Sequence, residues 1–158
     1  MKTMRLIAGM LASVLALQAC SDSSSTSPLL KELAAQQDAA EEDGSIVVDF
    51  GEIYADHDEY IVVCQEAFRE MALDHVGLPD DSLEPLDDSE SAVVAYSPGD
   101  DGKVLADVID RSDVTLCQGV QRSAIPITQN QQPFTYSEEF RSESGSPWLR
   151  TGTDAALY

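Results

Sequence analysis

Basic residues are scarce in this chain. Nine lysines and arginines stand against 29 aspartates and glutamates in 158 residues, a formal net charge of −20. A surface of that sign repels phosphate backbones and anionic headgroups, which excludes nucleic acid as a partner. Histidine is limited to His57 and His75, and the three cysteines contain no Cys-x-x-Cys pair. Thiol redox chemistry and a zinc–thiolate centre are therefore not expected. The sequence also lacks a Gly-x-Ser-x-Gly elbow, a glycine-rich phosphate loop and the ligand spacing of an EF-hand. No apolar run reaches the ~20 residues that a helix needs to cross a bilayer. No cofactor is expected.

The longest apolar run is Leu6 to Leu17, preceded by Lys2 and Arg5 and by no acid. A positive n-region before about a dozen apolar residues has the layout of a secretory signal, too short for a span. The run closes on Leu17-Gln18-Ala19-Cys20, which resembles the lipobox of bacterial lipoproteins: aliphatic, tolerant, small, then the cysteine that takes the lipid. Gln18 departs from the small or hydroxyl residue common at its position. The resemblance implies a diacylglyceryl group on Cys20 and removal of residues 1–19. It also implies anchorage facing the periplasm. Ser21, in place of an aspartate after the cysteine, points to the outer membrane under the enterobacterial sorting rule. Cleavage would remove Lys2 and Arg5 but no acid, leaving the mature chain two charges more negative.

Residues 20–28 form a serine-rich, hydrophilic tether, the composition of a flexible linker. With Cys20 assigned to lipid, Cys64 and Cys117 remain, and in an oxidising compartment they are expected to pair. The tether leads into one domain, expected over residues 29–141, and an irregular tail over 142–158. Ser27 and Pro28 read as N-cap and first position of a helix that Gly44 stops. With Leu30, Leu33 and Ala34 as its only apolar stripe, that helix should be lightly packed.

Two β-rich runs follow, 45–54 and 59–64, separated by Ala55-Asp56-His57-Asp58, and read as a hairpin. Residues 65–76 switch to helical spacing, with Phe68, Met71, Ala72 and Val76 on one face and Gly77 as the stop. A second hairpin is expected around Ser97-Pro98-Gly99-Asp100-Asp101-Gly102. Residues 113–120 read as a strand, 123–127 as an edge strand because of Pro126, and 133–140 as a last strand. The order implies an α+β fold: a small antiparallel sheet with the amphipathic helix 65–76 packed on one face. The core candidates are Val47, Phe50, Ile61, Val63, Phe68, Met71, Ala72, Val93, Val104 and Val108.

The stretch His57-Asp58-Glu59-Tyr60-Ile61-Val62-Val63 is similar to an aromatic-Asp-x-hydrophobic pattern in small uncharacterised bacterial lipoproteins, as is Gly102-Lys103-Val104 in the following hairpin. His57 stands where those proteins carry a tryptophan, and Cys64-Gln65-Glu66 where they carry Gly-Pro-Tyr. The resemblance implies architecture and no activity.

Few residues could carry chemistry. His57 lies between Asp56 and Asp58, and imidazole with carboxylate suits a transition metal. Neighbours on an extended chain point apart, however, so a solvated turn is the preferred reading and no metal is expected. His75 in a last helical turn has an adequate role beside the helix C-terminus. The carboxylates of Asp80, Asp81, Asp87, Asp88 and Glu90 read as solvated loop charge. The sequence thus points to a non-catalytic envelope lipoprotein, held to the membrane at Cys20 and making contact with another envelope protein. The competing reading is an acidic inhibitor or immunity-type protein that blocks a basic site on an enzyme or toxin. A small hydrolase or metal binder would need a pocket around His57 or His75.

Overall fold

The computed structural model describes residues 27–99, 103–118 and 123–157. The expected signal segment 1–19, Cys20 and the tether up to Thr26 lie outside them. The domain is an α+β fold of five short helices and eight strands among the described residues. Among these residues no helix is long and apolar enough to cross a membrane.

The chain enters through helix α1 (Pro28–Ala35), whose Ser27 N-cap accepts a hydrogen bond from the Leu30 amide. Helical geometry therefore begins inside the stretch read as tether, and Ser27 is itself buried. The expected single helix breaks at Gln36 into α1 and α2 (Gln37–Asp43), and Gly44 ends α2 in the left-handed region at φ 78°. The light packing expected for this arm is corrected: Leu29 and Leu33 are 0% and 1% exposed. Leu29 is close in sequence to Pro28 and was outside the apolar stripe read from the sequence, yet it faces the core.

Strand β1 (Ser45–Asp49) buries Ile46 and Val48, leaving Val47 56% exposed. The core assignment of Val47 is thus one residue out of phase, and a one-residue slip reverses every side chain on a strand. β1 does not continue to Tyr54. The Asp49 carboxylate accepts from the Gly51 amide at 2.8 Å and caps the short helix α3 (Phe50–Ile53). That turn carries the chain into a different sheet, so the first expected hairpin does not form. Strand β2 (Glu59–Val63) pairs instead with β3 (Glu90–Tyr96) and β6 (Ala124–Ile127).

The second expected hairpin is present: β3 and β4 (Val104–Asp110) run antiparallel from Glu90↔Asp110 to Tyr96↔Val104. This sheet has the order β4-β3-β2-β6, with Pro126 on its edge strand as expected. The other sheet, β1-β7-β8-β5, contains β5 (Val114–Thr115), β7 (Gln131–Tyr136) and β8 (Trp148–Arg150). β8 lies between β7, antiparallel, and β5, parallel. The packed domain therefore runs beyond residue 141. The tail read as irregular contributes an interior strand, which its serine- and glycine-rich flanks obscured.

The larger core lies between the sheets. Val48, Phe134 and Trp148 of one sheet meet Tyr60, Val62, Val93 and Ile109 of the other, and Leu29 and Leu33 close one side. The opposite face of the second sheet presents Ile61, Val63, Ala92 and Val94 to helix α4 (Arg69–Val76) and to Leu83 and Leu86. The expected helix 65–76 starts as a 3₁₀ turn over Glu66–Phe68 and becomes α-helical at Arg69. Gly77 ends it at φ 72°, with the Leu78 amide donating to Leu73 and the Gly77 amide to Asp74. Reaching five and three residues back, these bonds satisfy carbonyls that have no partner within the helix. Its fully buried residues are Ala72 and Leu73, while Phe68 and Met71 are only half-buried. Of the other core assignments, Phe50, Ile61, Val63 and Val93 are buried, Val104 is half-buried, and Val108 is 39% exposed on the edge strand β4.

Candidate functional site

Cys64 and Cys117 form a disulfide, as the cysteine count suggested. Cys64 follows β2 and Cys117 follows β5, so the bond joins the two sheets where β2 and β5 end. Beside it opens a cleft of about 640 Å³, lined by Ser91, Arg111, Thr115, Leu116, Phe140 and Glu143 together with the two cysteines. That volume lies within the range typical of ligand pockets, about 300–1,000 Å³.

The polar lining is incompletely satisfied. The Oγ of Ser91 and the Oγ1 of Thr115 are buried and have no hydrogen-bond partner among the described residues. Native structures seldom leave a buried hydroxyl unpaired, so each such group calls for a physical reason. Arg111 is positioned from the turn after β4, where its amide donates to the Ser89 carbonyl at 2.8 Å. Its Nη2 donates to the carbonyls of Cys64 at 2.7 Å and Glu90 at 3.0 Å. These bonds fix the guanidinium without neutralising it, and its charge helps, after the Ser112 bonds, to hold the adjacent Asp110 carboxyl below its ordinary range. Arg69, Arg141 and Arg150 each have a carboxylate partner, whereas Arg111 has no ion pair among the described residues. Lys31 and Lys103, both exposed, likewise form no ion pair among the described residues, but neither lines a cleft. The cleft offers a fixed cation and two hydroxyls, the equipment to hold an acceptor. Ser91 Oγ has no hydrogen-bonded base, which a nucleophilic serine requires.

The residues weighed for a metal are not brought together in this way. His57 sits in the turn after α3, with its Nδ1 buried and without a hydrogen-bond partner among the described residues, while Asp56 and Asp58 are exposed. Backbone bonds hold that turn: the His57 amide donates to Tyr54, and the Tyr60 hydroxyl donates to the His57 carbonyl at 2.8 Å. Among the described residues no three histidine, cysteine, aspartate or glutamate side chains group around a common point. His75 is exposed and shares a shallow groove with Asp58 and Glu59 that does not include His57. In that groove the Tyr96 hydroxyl donates to Glu59 at 2.9 Å. Burial, reinforced by that bond and by the carboxylate charge, pushes the phenol above its ordinary range. Asp80, Asp81, Asp87 and Asp88 are exposed, as expected of loop charge, whereas Glu90 is half-buried at the start of β3, where its carboxylate accepts from the Asp87 amide at 2.9 Å.

Two further buried charges hold the frame of the domain. Asp107 on β4 accepts from Ser27 Oγ, the Leu29 amide and the Tyr54 hydroxyl. Arg150 on β8 pairs with Asp154, and its Nε donates to Gln132 Oε1 at 2.7 Å. Thr128 supplies Asp154 with two more donors, at 2.7 and 3.0 Å. Burial pulls the Arg150 guanidinium below its usual range, against the pull of Asp154. Burial also acts to raise the Asp154 carboxyl, but the Thr128 bonds and the Arg150 charge outweigh it and hold the group below its ordinary range.

Sequence reasoning found the cysteines of the cleft and missed Ser91, Arg111 and Thr115. One signal was present: Arg111 is the only cation between Val104 and Gln121. The chain matches no protein-family model, no curated protein and no solved structure.

Proposed function

We propose that this chain is a non-catalytic envelope lipoprotein, anchored through Cys20 and facing the periplasm from the outer membrane, that makes contact with another envelope protein. The observation that carries the reading is the pairing of Cys64 with Cys117. A structural disulfide suits an exported protein, and it leaves Cys20 as the one cysteine free for lipid. The Leu17–Cys20 sequence supplies the processing signal. Each acyl chain contributes ~0.8 kcal/mol per buried methylene, so two or three chains make such anchorage stable. Seven residues, 20–26, separate the anchor from the Ser27 cap, a reach of at most about 25 Å. The domain would therefore work close to the membrane surface. Metabolic labelling with palmitate tests the anchor: the wild-type chain should label and fractionate with membranes. Cys20→Ser should neither label nor sediment, and a labelled mutant would overturn the assignment. Crosslinking in intact envelopes should then recover a protein partner.

A second reading, an inhibitor or immunity-type protein, is favoured by the exposed carboxylates of Asp80, Asp81, Asp87 and Asp88. Binding through those loops to a basic enzyme or toxin should weaken steeply as salt is raised. Partner capture that is insensitive to salt would speak for the first reading.

A further inference from the structure

We propose that the cleft beside the Cys64–Cys117 bridge is a binding site for a carboxylate carried on a short apolar body, with Arg111 as the cation and the Ser91 and Thr115 hydroxyls as further donors. The first ground is the unpaired charge. Arg111 is fixed by two backbone carbonyls and has no carboxylate within ion-pair distance among the described residues; the neighbouring Asp110 feels its charge, but its carboxylate accepts from the Ser112 amide. A guanidinium presents a planar fork of donors that matches the two oxygens of a carboxylate. The second ground is independent: Ser91 is 2% exposed, its Oγ has no partner, and Thr115 Oγ1 on the same lining is equally orphaned. A ligand oxygen would satisfy both hydroxyls and recover the free energy that an unmade buried bond costs. The third ground is the wall. Leu116, Leu149 and Phe140 give the cleft an apolar side, suited to a hydrocarbon or aromatic body.

Glu143, which is exposed, also lines the cleft. Its charge opposes a simple acid and so sets a sign for the test: Glu143→Gln should tighten carboxylate binding. The site does not depend on the lipid anchor, so Cys20→Ser should leave it unchanged. The carboxylate could belong to a free acid or to the C-terminus of a peptide, and two probe pairs separate these sources.

The whole chain, purified in detergent, is titrated calorimetrically with 4-phenylbutyrate and its amide. It is then titrated with an N-acetylated tripeptide ending in phenylalanine, as the free acid and as the amide. The acid of at least one pair should bind tenfold or more tighter than its amide. Comparable affinity for both acids would assign the site to free acids, and a tenfold advantage for the peptide would assign it to chain ends. Arg111→Gln should abolish the preference for acid. Because Arg111 also holds two carbonyls, the deciding variant is Ser91→Ala with Thr115→Val, which breaks no side-chain hydrogen bond among the described residues. It should keep or raise the unfolding midpoint and weaken acid binding at least fivefold. Absence of an acid preference in both pairs, or full acid affinity in that double variant, would overturn the proposal.

Discussion

The carboxylate of Asp107 accepts a 2.7 Å hydrogen bond from the hydroxyl of Tyr54, two residues that lie 53 positions apart. The same oxygen accepts from Ser27 Oγ and the Leu29 amide at the start of α1. One buried charge thus ties the edge strand β4 to α1 and to the residue that ends α3. It also sits where a helix N-terminus favours an anion. Hydrogen bonds to a charged group are worth more than neutral ones, and a donor left buried without a partner is costly. Asp107→Ala strands three donors and should destabilise the domain by about 3 kcal/mol or more, read as a lower midpoint in urea. Tyr54→Phe removes one donor and should cost about 1–2 kcal/mol. The double variant should cost less than the sum of the two, as expected for residues that share one bond.

Tyr54 also sets an alkaline limit. Burial, and then the neighbouring Asp107 charge, raise its phenol well above the ordinary value of 10.0. The folded protein therefore holds a proton that the unfolded chain releases above that pH. Stability should be flat below about pH 10 in this respect and should fall as pH rises further. In Tyr54→Phe the alkaline fall should be shallower, measured as urea midpoints between pH 8 and 11. An unchanged slope would remove Tyr54 from the explanation.

The Cys64–Cys117 bond closes a loop of sequence separation 53 and joins the two sheets. Loop closure of that length stabilises by about 4 kcal/mol in the chain-entropy model. Reduction, or Cys64→Ser with Cys117→Ser, should lower the urea midpoint accordingly. The wild-type protein should respond to reductant in equilibrium unfolding, and the double variant should not.

Features that depend on a few adjacent residues were legible in the sequence. Ser27-Pro28, Gly44 and Gly77 mark helix ends because caps and left-handed turns are local chemistry. The β3–β4 hairpin was legible for the same reason, and the disulfide followed from counting cysteines. What failed was non-local. Nothing near Ser45–Asp49 indicates that its partner is Gln131–Tyr136 rather than the next strand. Trp148–Arg150 is too short to show a period, and it is a strand because β5 and β7 flank it. The cleft was only partly legible: Ser91, Arg111 and Thr115 come from three elements and meet only in the folded chain.

The face of β1 gives a direct test of its register. Val48 is fully buried and Val47 largely exposed. Val47→Thr should change stability by less than about 0.5 kcal/mol, as for surface substitutions generally. Val48→Ala removes buried methyl groups and leaves a cavity, and should cost about 1–3 kcal/mol. Similar effects at the two positions, measured by thermal unfolding, would contradict the register.

The strongest constraint on the C-terminal segment is at Gly152. A Cβ placed there would lie 2.7 Å from both Arg150 Nη2 and Gln132 Oε1. Those atoms belong to the buried Arg150–Gln132–Asp154 network, so they cannot retreat without breaking bonds that satisfy a buried charge. Gly152→Ala should therefore destabilise by about 1–3 kcal/mol. Asp154→Asn leaves Arg150 buried without its counter-charge and should cost about 3–5 kcal/mol at neutral pH. The pH dependence separates the two. Because the folded Asp154 carboxyl titrates below its unfolded value of 3.8, its stabilisation is present above that pH and is lost as the pH falls through the folded value. Gly152→Ala should keep the part of the acid-induced loss that Asp154 contributes. In Asp154→Asn that part should be missing, and a wild-type acid slope in this variant would show that the pair does not govern the acid limit.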